Sequence, residues 1–245
     1  MPPCAAIRTP LNSSEWSESY LGDMRPDIEM LTPAEAAVIA RVSVRDINRV
    51  IDEGILPDRF FAVSGGRRIH AAACPLVGFY FNSARALTAE ERGRLIRRVS
   101  ERIGPPASGR PGKDYKDAVG KPEDWTIQDG FLTVRLWEFV AGAEDRRAKL
   151  AEARGMVIED PEILSGTPVI GGTRIPVYDV AASVTAALPN DRIRSAYPGI
   201  TDAQIELAAI YAEAAPPRGR PRRRAFGETG ARVVSRRRAG RLRPG

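Results

Sequence analysis

Apolar residues recur at helical spacing near the start of the chain, and a Ser or Thr stands ahead of each run. Thr32 is followed at the third position by Glu35, a capping box that predicts a helix from Pro33 to Ala40. Ser43 caps a second predicted helix, which ends at Gly54 because glycine readily adopts the left-handed conformation of a helix stop. The apolar stripe of this second helix consists of Val44, Ile47, Val50 and Ile51. The pattern therefore predicts two short helices joined by a tight turn.

Short apolar segments around glycines predict β-hairpins. Residues 61–63 and 67–70 flank Ser64-Gly65-Gly66, where glycine permits the positive φ of a tight turn. This hairpin follows the two helices directly and therefore has the place of a wing. A second hairpin is predicted around Gln128-Asp129-Gly130. Further helices are predicted after Thr88, over 137–154, over 178–188 and from Thr201 to Ala215, and short strands at 156–158 and 168–170.

These elements predict an α+β fold, mainly α with short β-hairpins, that contains two helix-turn-helix-like domains. Residues 104–122 are dense in Gly, Pro and charge, which is typical of a linker, so we place the main boundary near them. The expected parts are a flexible N-terminus (1–30), a winged helix-turn-helix domain (31–104), a linker with hairpin and helix (105–154), a domain of hairpin and helices (155–215) and a disordered Arg-rich tail (216–245).

The positive charge is concentrated at the C-terminal end. The formal net charge is +6 over 245 residues. Residues 216–245 contain 11 Arg, no Lys and a single acid, Glu228, so this segment carries +10 and the rest of the chain −4. A basic segment on an acidic body can bind anionic partners independently of that body.

Composition excludes several classes of protein. No stretch approaches the roughly 20 apolar residues of a membrane span, and no basic segment followed by an apolar run marks a secretory signal, so we expect a cytoplasmic protein. Cys4 and Cys74 lack the spacing of a disulfide framework or zinc site. The single histidine, His70, is expected at the surface or half-buried, with no partner nearby in sequence. Without paired carboxylates, a ligand cluster or a phosphate-binding loop, we expect no metal, no cofactor and no enzymatic activity.

The second predicted helix has polar side chains opposite its apolar stripe, as a helix in a DNA major groove requires, and these are Arg45, Asn48, Arg49 and Asp52. Arginine can bind guanine, and asparagine adenine, through two hydrogen bonds, while a serine and helix amides suit a phosphate. The wing arginines would contact the adjacent backbone or the minor groove. The predicted DNA-binding residues are Ser43, Arg45, Asn48, Arg49, Arg67 and Arg68. The alternative is a helical hairpin whose charged face is only solvated.

The segment LTPAEAAVIARVSVRDINRVIDEGILP, followed by GGRRIH, resembles the helix-turn-helix of the MerR and excisionase superfamily. The resemblance covers about residues 31–75. It implies DNA binding by a dimer to a palindromic operator. Where such proteins often carry an aromatic residue in the recognition helix, this sequence has Arg49-Val50.

Glycines and prolines bracket short apolar segments in residues 160–177, which predicts a compact hairpin leading into a helix. With Tyr197-Pro198 and the helix after Thr201, the sequence GTPVIGGTRIPV resembles the domain-of-unknown-function family numbered 433 over about residues 157–214. That resemblance implies a helix-turn-helix-type fold and a VapB-type antitoxin, whose partner is a PIN-domain (VapC-type) ribonuclease toxin. The charged residue within the motif, Arg174, either ties the hairpin to the helices or contacts nucleic acid.

The planar guanidinium group of arginine pairs with carboxylates as well as with phosphates. The Arg-rich tail could therefore occupy an acidic protein cleft or bind DNA. A PIN-domain toxin holds Mg²⁺ or Mn²⁺ with clustered acids, and the resemblance implies that tail arginines would compete there with metal and RNA. The predicted toxin-binding residues are Arg218, Arg220, Arg222, Arg223, Arg224, Arg236, Arg237 and Arg238. Nonspecific flexibility is the third interpretation of the tail.

Two functions from different classes follow. The first is a type II antitoxin that inhibits a PIN-domain ribonuclease and binds its own promoter, as a homodimer or as a hetero-oligomer with the toxin. The second is a MerR-like transcriptional regulator without a toxin partner, in which residues 125–154 sense a small ligand.

Overall fold

The computed structural model describes residues 30–103, 115–130 and 132–217. The expectations for the N-terminus (1–29), for residues 104–114 and for the tail from residue 218, including all eight predicted toxin-binding arginines, lie outside these ranges. The helices are α1 (Pro33–Ala40), α2 (Val44–Asp52), α3 (Cys74–Asn82), α4 (Ala89–Ser100), α5 (Tyr115–Val119), α6 (Trp137–Met156), α7 (Val177–Thr185), α8 (Asn190–Ala196) and α9 (Asp202–Ala214). The strands are β1 (Met30–Leu31), β2 (Phe61–Ala62), β3 (Arg68–His70), β4 (Thr126–Asp129), β5 (Leu132–Arg135), β6 (Val157–Ile158) and β7 (Val169–Ile170).

The predicted α+β class, mainly α with short hairpins, is confirmed in these ranges. Every strand pairing is antiparallel, in three small sheets with the orders β1-β3-β2, β4-β5 and β6-β7. The first predicted hairpin is present, with Phe61 opposite Ile69 and Ala62 opposite Arg68. Its turn contains Gly65 and Gly66, both at positive φ, as the hairpin signal requires.

Helix α1 begins at the predicted capping box. The amide of Thr32 donates to Oε2 of Glu35 at 2.7 Å, and the amide of Glu35 donates to Oγ1 of Thr32 at 3.3 Å. The helix ends at Arg41, which takes the left-handed conformation at φ 54°. Its last five residues, 36–40, are all buried, none more than 5% exposed. A helix buried on all sides needs several neighbours, and α1 packs against α2, α3, α6 and α9.

The long helix α6 lies between the two ends of the chain. It packs against α1 and α3 on the N-terminal side and against α9 on the C-terminal side. One cluster of buried apolar side chains contains members of α1, α3, α6, α7 and α9. The division into domains at 31–104 and 155–215 stays a prediction. Because the cluster contains residues of both parts, an experiment must test whether either part folds alone.

The motif of residues 160–177 forms a hairpin that leads into α7, as predicted. Ile170 donates its amide to the carbonyl of Ile175 at 3.0 Å, and Val169 bridges to Pro176. A Cβ added at Gly171 would lie 3.1 Å from the carbonyl oxygen of Met156, so this position has little room for a side chain. Arg174 is exposed and makes no hydrogen bond or ion pair with the described part of the chain, so it does not tie the hairpin to the helices.

His70 is buried, in contrast to the surface or half-buried position expected from the sequence. The residue is 1% exposed, and its ring lies edge-on to Phe60 with 6.5 Å between ring centroids. Nδ1 accepts the amide hydrogen of Ala72 at 3.1 Å, while Nε2 is buried without a hydrogen-bond partner among the described residues. Burial lowers the pKa of His70 below its ordinary value of 6.5, because the charged ring would lose its hydration.

Acid is therefore expected to destabilise the fold through His70. The unfolded chain takes up the imidazole proton at a higher pH than the folded chain, so stability falls as the pH drops below about 6.5 and levels off once it passes the folded pKa. In the His70→Asn variant, Oδ1 can still accept from Ala72 and the titration is gone. Denaturant unfolding measures the free energy of unfolding, which should fall between about pH 8 and pH 5 in both proteins. The slope of this fall should be smaller in the variant by up to about 1.4 kcal/mol per pH unit. Identical pH dependence in the two proteins would contradict this role.

Candidate nucleic-acid interface

Helix α2 has one buried side and one exposed polar side. Ile47 and Val50 are fully buried and Ile51 is 8% exposed, which confirms three of the four predicted apolar positions. Val44 differs, because it lies in the first turn and is 42% exposed. Arg45 and Arg49 lie on the exposed side, with Asn48 half-buried beside them.

The N-terminus of α2 is capped by Ser43, and the acid Asp46 completes the capping box. The amide of Asp46 donates to Oγ of Ser43 at 3.1 Å, while the hydroxyl and the amide of Ser43 donate to Oδ2 of Asp46 at 2.7 and 3.1 Å. The carboxylate of Asp46 therefore occupies the place at the helix start that a phosphate would favour. The capping role of Ser43 is confirmed, and its predicted phosphate contact stays a prediction.

The two exposed arginines of α2 differ in their partners. Nε of Arg49 donates to Oε1 of Glu53, one helical turn on, at 2.8 Å. This hydrogen bond and the charge of Glu53 raise the pKa of Arg49. An arginine side chain is charged with or without such a partner. Arg45 makes no hydrogen bond or ion pair within the described ranges. Arg45 thus presents a guanidinium without an internal partner, whereas Arg49 must share its donors with Glu53.

The two wing arginines also differ. Nη1 of Arg67 donates to Oδ1 of Asn48 at 2.9 Å, and its Nη2 donates to Oδ1 of Asp52 at 2.7 Å. Nη1 also reaches Oδ2 of Asp52 at 3.3 Å, which completes a two-pronged ion pair. Arg68, the next residue, is exposed and contacts no acid in the parts of the chain that are described. The structure therefore brings Arg67, Asn48 and Asp52 together and leaves Arg45 and Arg68 available to a partner.

Of the three acids around this face, Asp52 was part of the predicted polar face, whereas Asp46 and Glu53 were not. Four arginines lie on α2 and its hairpin, and three carboxylates lie among them: Arg45, Arg49, Arg67 and Arg68 with Asp46, Asp52 and Glu53. The face is therefore only weakly positive. The capping box pattern could have identified Asp46, and the i, i+4 spacing could have identified the Arg49–Glu53 pair.

Polar contacts join the C-terminal helices to α6 and α1. Arg154 at the end of α6 donates to Oε1 of Glu35 at 2.6 Å, so the acid that caps α1 also holds α6. Lys149 of α6 donates to Oε1 of Glu206 of α9 at 2.8 Å, which raises the pKa of Lys149 and lowers the pKa of Glu206. Burial and a hydrogen bond to Glu159 raise the pKa of Tyr211 to about 12.

A groove of about 860 Å³ runs from the start of α2 to α6 and α9. Its apolar lining includes Val38, Val44 and Phe81, and Arg146 and Glu213 supply charge. Nε of Arg146 is buried and has no hydrogen-bond partner among the described residues. No group of three or more His, Cys, Asp or Glu in the described ranges could hold a metal ion. Within the same ranges, no helix combines the length and apolarity needed to cross a membrane.

The C-terminal region of the chain matches a known protein family. Residues 157–212, which comprise the β6–β7 hairpin, α7, α8 and most of α9, match the family described as a protein of unknown function, DUF433. The chain is thus an α+β protein whose C-terminal part is a DUF433 region, as the sequence motif predicted.

The family of the whole chain follows from a curated relative. The uncharacterized protein y4eO of Sinorhizobium fredii (strain NBRC 101917 / NGR234) is 48% identical over 217 residues, which cover 88% of this chain and 95% of that protein. The chain belongs to the same family as y4eO. Among solved structures, the X-ray crystal structure of Rv2018 from Mycobacterium tuberculosis matches with a TM-score of 0.32 and 17% identity, over 75% of this chain and 98% of that chain.

Proposed function

We propose that this protein is a DNA-binding antitoxin of a type II toxin-antitoxin system. In this proposal α1, α2 and the β2–β3 hairpin act as a winged helix-turn-helix on operator DNA, and the C-terminal part inhibits a PIN-domain ribonuclease. The observation that carries the proposal is the polar side of α2, on which Arg45 and Arg49 are exposed, beside a hairpin whose Arg67 contacts that helix.

The dimensions and chemistry of α2 support DNA binding. An α-helix with its side chains is about 10–12 Å across, which fits a major groove about 12 Å wide, and the nine residues of α2 extend roughly 13 Å along its axis. The buried residues Ile47 and Val50 hold α2 on the body, so its opposite face is the one that meets DNA. Because three carboxylates lie on that face, nonspecific attraction to DNA is weak and direct base contacts must supply the affinity.

The antitoxin part of the proposal depends on the DUF433 region and on the charge of the tail. The DUF433 match covers residues 157–212, and the resemblance described above links such domains to VapB-type antitoxins. The Arg-rich tail that follows carries +10, which suits an acidic metal-binding cleft. Inhibition would then result from occupancy of the cleft, without chemistry by this chain.

Co-expression with the product of the adjacent reading frame tests the proposal. We expect the two proteins to purify together, and the partner to cleave RNA only after this chain has been removed. A variant that ends at residue 217 keeps every described element and removes all 11 arginines of the tail. It should therefore fold but bind the partner at least about tenfold more weakly. A neighbour that does not bind, or that has no ribonuclease activity, would refute the antitoxin assignment.

A second candidate function is a ligand-responsive transcriptional regulator. The observation that favours it is the groove between α2, α6 and α9, where the buried Nε of Arg146 has no hydrogen-bond partner among the described residues and Val44 of α2 forms part of the wall. A small anionic ligand with an apolar portion would suit this groove. The discriminating result is operator affinity that changes with such a ligand in the absence of any stable protein partner.

A further inference from the structure

We infer that Arg67 and Asp52 are positioning residues that fix the amide of Asn48 for reading one base pair. This inference rests on the proposed DNA-binding function and assigns Arg67 a task different from the backbone contact expected of a wing arginine. It is carried by one chain of hydrogen bonds, from the carboxylate of Asp52 through the guanidinium of Arg67 to the side-chain oxygen of Asn48.

The geometry orients a side chain that would otherwise be free to turn over. An asparagine amide has an acceptor oxygen and a donor nitrogen of nearly equal size, so its orientation is set by its hydrogen-bond partners. A guanidinium only donates, and Nη1 of Arg67 lies 2.9 Å from Oδ1 of Asn48. Oδ1 must therefore face the wing, and the amide nitrogen is turned away from it.

An oriented amide matters because adenine is read by both ends of an asparagine at once. The oxygen accepts from N6 of the base and the nitrogen donates to N7, which requires the two atoms in a defined order along the groove. Oδ1 has two lone pairs, so the bond from Arg67 leaves one for the base. A base with the opposite order of donor and acceptor is then disfavoured.

Asp52 explains why Arg67 can hold this position. Its carboxylate binds both Nη atoms of Arg67, at 2.7 and 3.3 Å, and the fork geometry fixes the plane of the guanidinium. The same carboxylate neutralises the charge that a phosphate contact by Arg67 would use. Arg68, the neighbouring wing residue, has no such partner within the described ranges and keeps its charge for the DNA backbone.

The two possible tasks of Arg67 predict different measurements. Loss of a phosphate contact weakens binding to all sequences alike and reduces the salt slope, whereas loss of a positioning contact relaxes the preference at one base pair. Substitution of Asp52 separates the tasks further. Because it removes a negative charge from the face, it raises general affinity for DNA, yet it should relax the same base pair as substitution of Arg67.

The experiment is a selection from random DNA with the full-length protein, followed by titration of all single-base variants of the selected site. For Arg67→Ala and Asp52→Ala we expect discrimination at one shared base pair to fall about five- to tenfold, with Asp52→Ala binding nonspecific DNA more tightly than the wild type. Arg68→Ala is the matched control, in which the preference stays and the salt slope falls by about 0.9. The three side chains are exposed, and thermal melting checks that each variant folds.

The outcomes separate this inference from the function on which it rests. If the wild type selects a sequence, but Arg67→Ala keeps every base preference and lowers the salt slope as Arg68→Ala does, Arg67 is a phosphate contact and the inference is wrong while DNA binding stands. If Arg67→Ala and Asp52→Ala relax different base pairs, the hydrogen-bonded chain is not the cause. If the wild type selects no sequence, the DNA-binding proposal fails and the inference fails with it.

Discussion

Replacing Arg45 and Arg49 together by Ala is expected to abolish sequence-specific DNA binding and to leave the fold intact. Both side chains are exposed on α2, and Arg45 has no partner within the described structure. A well-placed base contact by arginine contributes about 1–3 kcal/mol of discrimination, so the loss of two would lower specific affinity about 30-fold or more. The stability of α2 depends on its buried side, which neither substitution changes.

Gel-shift titrations at two salt concentrations would measure this effect. The control replaces Arg85 and Arg97, which are also exposed but lie outside α2 and its hairpin, so that the same two charges are removed elsewhere. If loss of net charge were the cause, both double variants would bind DNA equally weakly. Retained operator affinity in the α2 variant would exclude α2 as the reading element, whereas retained binding of the protein partner would show that the two proposed activities use separate surfaces.

Local chemistry explains why several elements could be predicted from the sequence. The predicted capping residues Thr32, Ser43, Thr88 and Thr201 all accept a hydrogen bond from the amide three residues on. Such a cap depends only on residues close in sequence, so it can be predicted without knowledge of the rest of the fold. The glycine turns of the hairpins follow the same rule, because positive φ is a property of a single residue.

Helices without a local signal were not predicted. Helix α3, with the sequence CPLVGFYFN, is almost entirely apolar and lacks both a polar face and a side-chain cap. A short apolar run of this kind does not distinguish a buried helix from a buried strand. Helix α8 has seven residues and no side-chain cap, so its sequence has too little periodicity for a prediction.

The candidate site shows the same limit. The polar face of α2 could be predicted because it follows from the helical period of Ile47, Val50 and Ile51. The ion pair between Arg67 and Asp52 joins residues that lie 15 positions apart and on different elements. Their contact depends on how the hairpin packs beside α2, which no local pattern encodes. The sequence therefore identified the residues of this face but not which of them are already engaged.

Helix α1 packs between the proposed DNA-binding helix α2 and the helices α6 and α9. Its sequence, PAEAAVIA, is apolar almost all round, and a helix of that kind is stable in water only when other elements cover every side. Helices α2 and α3 cover part of it, and α6 and α9 cover the rest. The ion pair of Glu35 with Arg154 adds a polar contact across the same interface.

A fragment that contains only residues 30–103 is accordingly expected not to fold. It would expose the side of α1 that α6 and α9 cover in the full chain. Uncovering even two buried aliphatic side chains costs about 3–6 kcal/mol, a large part of the roughly 5–15 kcal/mol by which domains are stable. Circular dichroism during heating should show no cooperative transition for the fragment, whereas residues 30–217, which keep α6 and α9, should melt cooperatively.

This comparison also decides the domain division expected from the sequence. If residues 30–103 melted cooperatively, the N-terminal unit would be an independent domain, and α6 and α9 would add little to its stability. If only the longer protein folds, α1 belongs to one core with α6 and α9, because its buried residues 36–40 need both for cover. A partner that displaced α9 would then uncover α1 and weaken the support of α2, so that partner binding and DNA binding would be coupled through the shared core.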